Sequence, residues 1–210
     1  MIRSIHLPES CAFSDYFKLN AYPEEILNYF GYQFEKKELE LPTAHQINLD
    51  TESLKSHIKK TLPLISTDNE TARREFLISP ILLELAISTH SQIRVNYTVD
   101  VSPQLRGSVD YLLQSTDQLL VVEAKDENLE RGFKQLAVEL IAIHEEIQRE
   151  SRTPSNFSNE LWGAVSIGRV WQFSVLNAHQ KTVTQDLNMY RVPNDLDELL
   201  RALVGILVKA

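Results

Sequence analysis

The spacing of apolar and polar positions divides the chain into short elements and one long helix. Pro23-Glu24-Glu25 is followed by Ile26, Leu27 and Tyr29-Phe30, and Gly31 closes the run. This predicts a short helix with proline in its first turn. Tyr32 to Leu41 alternates loosely, as a strand does. Asp50 to Ser53 opens another helix, with Leu54, Ile58 and Leu62 at helical spacing. Asp68 or Asn69 caps a helix through Ala72, Phe76, Leu77 and Leu82-Leu83 to about Thr89, which Pro80 is expected to kink or break.

Three β-branched and aromatic segments come next: Ile93 to Val101, Ser108 to Leu113 and Leu119 to Ala124. Each is bounded by turn residues and predicts a strand, with Thr116-Asp117 as a hairpin connection. A long helix follows from about Leu129 to Glu150. Its stripe of Phe133, Leu136, Ala137, Leu140, Ile141, His144 and Ile147 has the helical period. A polar loop, Ser151 to Asn159, leads to strands around Trp162 to Ile167 and Val170 to Leu176, with a weaker one over Val183 to Tyr190. Asn194 or Asp195 caps a last helix carrying Leu196, Leu199-Leu200, Leu203 and Ile206-Leu207. Strands run consecutively before the crossover helix. The expected class is therefore α/β, a central mixed β-sheet flanked by helices. Residues 1–65 read as an N-terminal extension packing on a core over 66–210.

The length of 210 residues suits one structural domain. The net charge of −8 argues against a general nucleic-acid coat, which needs a basic surface. A local basic groove stays open, with Arg73, Arg74, Arg94, Arg106, Arg131, Lys134 and Arg169 as candidates. The single cysteine, Cys11, excludes an intramolecular disulfide and a cysteine-rich metal cage, and is expected to be a small buried residue. No apolar run approaches the ~18 residues of a membrane span, and Met1 to Pro8 lacks a signal-peptide core. The expectation is a cytoplasmic protein with no membrane partner. Trp162 and Trp171 are expected to pack rather than stack on bases.

The chemistry concentrates on Asp110 and on Glu123-Ala124-Lys125. In a strand, alternate residues share a face, so Glu123 and Lys125 point the same way. A carboxylate and an ammonium at the end of an apolar, central strand are costly unless paired or metal-bound. The hairpin allows Asp110 to meet Glu123 across the ladder. Two converging carboxylates repel each other unless a cation joins them. A hard divalent ion takes oxygen ligands, and a neighbouring lysine positions a water and neutralises developing charge. Such an ensemble suits phosphodiester hydrolysis.

These residues resemble the Asp…(Asp/Glu)-x-Lys signature of the PD-(D/E)XK nuclease superfamily, the restriction-endonuclease-like fold. Gly107-Ser108-Val109-Asp110-Tyr111 resembles the strand bearing the first aspartate, with Val109 in place of the proline that names the motif. Glu70-Thr71-Ala72-Arg73-Arg74 and Ile78-Ser79-Pro80-Ile81-Leu82 resemble the helix before the core, as in the nuclease region of type I restriction motor subunits. Gln135 resembles a glutamine that some branches place near the active site, and Glu139 stands where those branches usually carry tyrosine. The resemblance covers about Asn69 to Glu150. It implies a restriction-endonuclease-like core in the order αβββαβ and a metal-dependent nuclease that hydrolyses DNA by a magnesium-activated water. The implied metal ligands are Asp110, Glu123 and Glu70, for Mg²⁺ or Mn²⁺. Lys125 is the implied catalytic lysine, and Gln135 supports the site. DNA is the implied substrate, acted on by a homodimer or within a larger restriction or repair assembly.

Other readings compete. A non-catalytic interaction module or subunit would keep the same fold. A phosphodiesterase acting on a nucleotide or RNA would use the same residues. Locally, Glu70 and Arg74 form an i, i+4 pair on a helix surface, and Lys125 joins Asp110 or Glu123 in a surface ion pair. On a helical wheel Gln135 lies ~200° from Phe133, so it reaches the site only where the helix N-terminus projects over the strand ends.

Overall fold

A computed structural model describes residues 4–116, 118–125, 128–150 and 159–208. The expected Thr116-Asp117 connection, the Ser151 to Asn159 loop and the acidic pair Asp126-Glu127 lie wholly or partly outside the described residues. So do Met1 to Arg3.

The elements are α1 (Phe13–Lys18), α2 (Pro23–Tyr29), β1 (Gln33–Lys37), α3 (Thr51–Thr61), α4 (Glu70–Arg73), α5 (Ser79–Thr89), β2 (Gln92–Ser102), β3 (Leu105–Gln114), β4 (Leu119–Ala124), α6 (Leu129–Glu150), β5 (Glu160–Ser166), β6 (Val170–Asn177), β7 (Thr182–Asp186), β8 (Tyr190–Arg191) and α7 (Leu196–Val208). One mixed sheet runs in the order β1-β7-β6-β5-β4-β3-β2, and β8 pairs with β6. β2, β3 and β4 form an antiparallel meander. α6 then crosses over to β5, which lies parallel to β4. β5, β6 and β7 continue antiparallel, and β1 adds to β7 in parallel. The protein is thus mixed α/β, with helices on both faces of a central mixed sheet.

Alternation along β4 separates the two cores. Leu120, Val122 and Ala124 pack with α3, α5 and α7, through residues such as Ile58, Leu82 and Leu203. Leu119 and Val121 pack with α1, α2 and α6, through Phe13, Leu27, Leu136 and Leu140. All six residues of β4 are buried. Trp162 and Trp171 belong to the first of these cores, and Cys11 is buried in the second. No described helix is long and apolar enough to cross a membrane.

Three expectations need correction. Pro80 neither breaks nor ends the helical segment. A π-helical turn (Arg74–Ile78) joins α4 to α5, and the Ser79 N–H donates to the Arg74 carbonyl five residues back. This wider turn accommodates a residue that has no N–H and clashes with the carbonyl four positions earlier. The strand expected over Val183 to Tyr190 is two strands, β7 and β8. Asp186 Oδ1 accepts from the N–H groups of Leu39 and Asn188, both at 3.1 Å, and so turns the chain away. The strand expected over Tyr32 to Leu41 is shorter, Gln33–Lys37. Helix α1 had no expected counterpart, because six residues are too few to display a period.

The segment before α3 lies directly against α7. The Ala44 N–H donates to the Arg201 carbonyl at 3.1 Å. A Cβ on Gly205 would stand 2.3 Å from the Pro42 carbonyl oxygen. Gly205→Ala is therefore expected to destabilise the fold by about 1–3 kcal/mol through overpacking. A lower urea midpoint with an unchanged m-value is the expected result.

Candidate functional site

The C-terminal end of β4 carries the charged pair. Glu123 is buried to 1% of its side-chain surface, and Lys125, just past the strand, to 11%. The Lys125 ammonium donates to Glu123 Oε1 and lies 3.9 Å from Glu70 Oε2. The Lys125 backbone N–H continues the ladder to the Ser166 carbonyl of β5, at 2.8 Å. This is a buried ion pair rather than the surface pair of the simplest sequence reading.

Asp110 arrives from β3. The ladder registers Tyr111 with Val122, so Asp110 follows opposite Glu123. Its carboxylate takes the next strand amide, with Oδ2 accepting from the Ala124 N–H at 2.9 Å. Oδ1 accepts from Arg74 Nη1, also at 2.9 Å. Arg74 sits in the π-helical turn, so its main partner is Asp110 across the fold rather than a neighbour along the helix. Its Nη2 donates to Asn96 Oδ1 at 3.0 Å, and its guanidinium lies 5.1 Å from the centre of the Tyr111 ring.

Gln135 reaches the site from α6, although the helical wheel sets it off the apolar stripe. Its amide donates to Glu123 Oε1 at 2.6 Å and to Glu139 Oε1 at 2.9 Å. The first turns of α6 come close to the strand ends because residue 132 is glycine. A Cβ there would meet Val165 Cγ1 at 2.7 Å and Lys125 Cγ at 3.0 Å. Helix α1 closes the other side, where Lys125 Nζ lies 5.7 Å from the centre of the Phe17 ring.

The structure thus brings together Asp110, Glu123, Lys125 and Gln135, with Glu70 at their margin. Sequence reasoning missed the part played by Glu139, fully buried and bonded to Gln135. Its signal was a carboxylate one turn beyond Gln135, set within the apolar stretch from Leu136 to Ile143. The partnership of Arg74 with Asp110 and Asn96 had no local signal, because it joins residues far apart in the chain. Other groove candidates are engaged elsewhere. Arg73 donates to the Thr67 and Ile167 carbonyls, Arg94 to Gln92 and Gln114, and Lys134 to the Leu19 and Ala21 carbonyls.

Burial sets the electrostatics. It raises the Glu123 carboxyl well above the usual range, aided by Glu139 and Asp110 and opposed by Lys125. It raises Glu139 to about 7. Burial disfavours the Lys125 ammonium, but Glu123, Asp110 and Glu70 together outweigh it and hold the lysine above its ordinary value. The Glu123–Glu139 pair thus retains a proton towards neutral pH. Glu123 Oε2, Glu139 Oε2 and Gln135 Oε1 are buried with no hydrogen-bond partner among the described residues.

Among the described residues, no three Asp, Glu, His or Cys side chains are gathered as a metal-holding group. The donor chemistry nevertheless suits a hard divalent cation. Four carboxyl groups (Glu70, Asp110, Glu123 and Glu139) surround two cations, Arg74 and Lys125. The three orphaned buried atoms of this cluster, on Glu123, Gln135 and Glu139, are oxygens, the donors that magnesium takes. No protein-family model matches the chain, and no curated protein is significantly similar to it.

Glu139 generates a prediction for the metal-free protein. A carboxyl with a raised folded-state pKa stabilises the fold fully below its unfolded value. That contribution is lost as pH rises through the folded value. In EDTA, the thermal midpoint should fall as pH rises from about 4.5 towards and through 7. Glu139→Gln should flatten this fall. An equally steep fall in the variant would show that another group carries it.

Proposed function

We propose that the protein is a metal-dependent nuclease with a restriction-endonuclease-like core, hydrolysing DNA phosphodiester bonds. The observation that carries this reading is the meeting of Asp110, Glu123 and Lys125 at the end of a central strand. The element order adds support. One helical segment precedes an antiparallel three-stranded meander, and a crossover helix leads to a parallel fourth strand. This is the αβββαβ order that the sequence resemblance implies.

Glu123 and Asp110, with Glu70 beside them, would hold Mg²⁺ or Mn²⁺. When bound, such an ion supplies Lewis-acid stabilisation of phosphate charge and a more acidic water. Lys125 orients the attacking water through its ammonium and neutralises charge developing on the phosphate. The neighbouring carboxyl groups keep that ammonium charged, which suits it to electrostatic stabilisation rather than to taking a proton. Gln135 fixes the Glu123 carboxylate by donating to the oxygen that Lys125 also contacts. The crossover helix excludes water from behind Glu123.

A second reading, a non-catalytic interaction module of the same fold, is favoured by one observation. Both oxygens of Asp110 are already engaged, one of them by the Arg74 guanidinium. A site that has lost its metal would be neutralised in this way.

A cleavage assay separates the two readings. With Mg²⁺ or Mn²⁺, the wild-type protein should cut at least one of single-stranded, duplex or branched DNA. Lys125→Ala should reduce the rate by about 10³-fold, comparable to the loss of a transition-state charge stabiliser. It should also retain the wild-type circular dichroism spectrum. Cutting by Lys125→Ala at the wild-type rate would disprove its role. No cutting of any substrate would favour the module.

A further inference from the structure

We infer that Arg74 is an internal counter-ion that competes with the metal for Asp110 and moves to a substrate phosphate when the metal binds. This inference rests on the nuclease reading and adds a means of regulating that site.

The geometry is that of a cation held at a ligand position. Arg74 Nη1 meets Asp110 Oδ1 at 2.9 Å, and the other carboxylate oxygen is fixed by the Ala124 N–H. While Arg74 holds Oδ1, its positive charge opposes a metal at that oxygen. The guanidinium has further anchors on β2 and β3, the Asn96 amide oxygen at 3.0 Å and the face of Tyr111. The Tyr111 hydroxyl is itself within 3.0 Å of Ser79 Oγ, so a short polar chain ties the clamp to the start of α5. Side-chain exposures of 18% for Arg74 and 14% for Asp110 leave the pair screened but within reach of solvent.

Two backbone features mark the clamp. Asn96, in the middle of β2, has φ of 53°, a left-handed conformation that few residues other than glycine and asparagine adopt and that is unusual within a strand. The strand ladder pairs Val95 with Tyr111 and Tyr97 with Val109, and Asn96 lies between them, beside Asp110. Arg74 itself begins the π-helical turn. Strained backbone and π-turns concentrate where structure serves function. Here one lies on the residue that carries the guanidinium and the other on its partner Asn96.

A divalent ion and a guanidinium compete directly for one carboxylate oxygen. Once displaced, a guanidinium with its planar fork of donors is suited to bidentate contact with a phosphate. The clamp therefore keeps Asp110 neutralised without metal, and it makes metal binding and substrate binding cooperative.

The test is Mn²⁺ titration by calorimetry, without DNA, on the wild-type protein, Arg74→Ala, Arg74→Lys and Asp110→Asn. Arg74→Ala should bind Mn²⁺ about tenfold more tightly, and Arg74→Lys should fall between it and the wild type. Asp110→Asn should bind more weakly than the wild type. On cleaved DNA, Arg74→Ala should raise KM while lowering the Mn²⁺ concentration for half-maximal rate. A merely structural role would not move these two in opposite senses. If Arg74→Ala does not fold, Arg74→Lys still distinguishes the cases through Mn²⁺ affinity. Wild-type binding with no gain in either Arg74 variant would overturn the clamp and leave the nuclease reading standing. No Mn²⁺ binding and no cleavage in any variant would overturn the nuclease reading, and the clamp with it.

Discussion

A carboxylate buried at the end of the central strand is the constraint around which the rest of the site is organised. Glu123 belongs to a strand whose other residues are apolar and buried. Removing such a group from water is expensive unless its charge is answered. Lys125 answers it from two residues along the chain and Gln135 from the crossover helix. Yet one oxygen of Glu123 has no hydrogen-bond partner among the described residues, and Glu139 places a second carboxyl close by. A purely structural core would have an apolar residue at position 123. The fold tolerates the carboxylate because two strong sheet neighbours and a long helix hold its surroundings in place.

Several features follow from that burial. The crossover helix must approach the strand ends closely enough for Gln135 to reach Glu123, and Gly132 permits this. The long connection between two parallel strands is what brings a helix to this end of the sheet at all. The ends of parallel strands in α/β proteins are where ligands commonly bind. The N-terminal segment also contributes, since Phe17 of α1 faces the Lys125 ammonium, and β1 joins the same sheet through β7. Residues 4–65 are therefore continuous with the core in packing, and a side chain among them borders the site.

Local patterns carried most of the architecture. β4 and α6 could be read to their ends because an apolar run bounded by polar turns, and a long 3.6-residue stripe, survive any tertiary context. The juxtaposition of Asp110 with Glu123 was readable because hairpin register follows from adjacency in sequence. What escaped was non-local. Nothing near Arg74 in sequence announces Asp110 and Asn96 as its partners, 36 and 22 residues away. The wheel displaced Gln135 because it assumes one buried face, whereas α6 is covered by the sheet on one side and by α1 and α2 on another. Pro80 misled for a similar reason. The breaking rule assumes a strict α-helical ladder, and a π-turn relieves the conflict without ending the helix.

The two cations divide the work that one divalent ion would do alone. Lys125 serves Glu123 from the strand end, and Arg74 serves Asp110 from the preceding helical segment. Their attachments differ in kind. Lys125 comes from the same strand end as its partner, and its side chain is 11% exposed. Arg74 stands on a helical turn of irregular geometry and reaches across to strands on which it has no covalent hold. If the site exchanges one cation for another, the strand lysine is therefore the one that stays. The charge of the site is balanced by groups of its own chain, and one of them, Arg74, stands against the carboxylate that a metal would need.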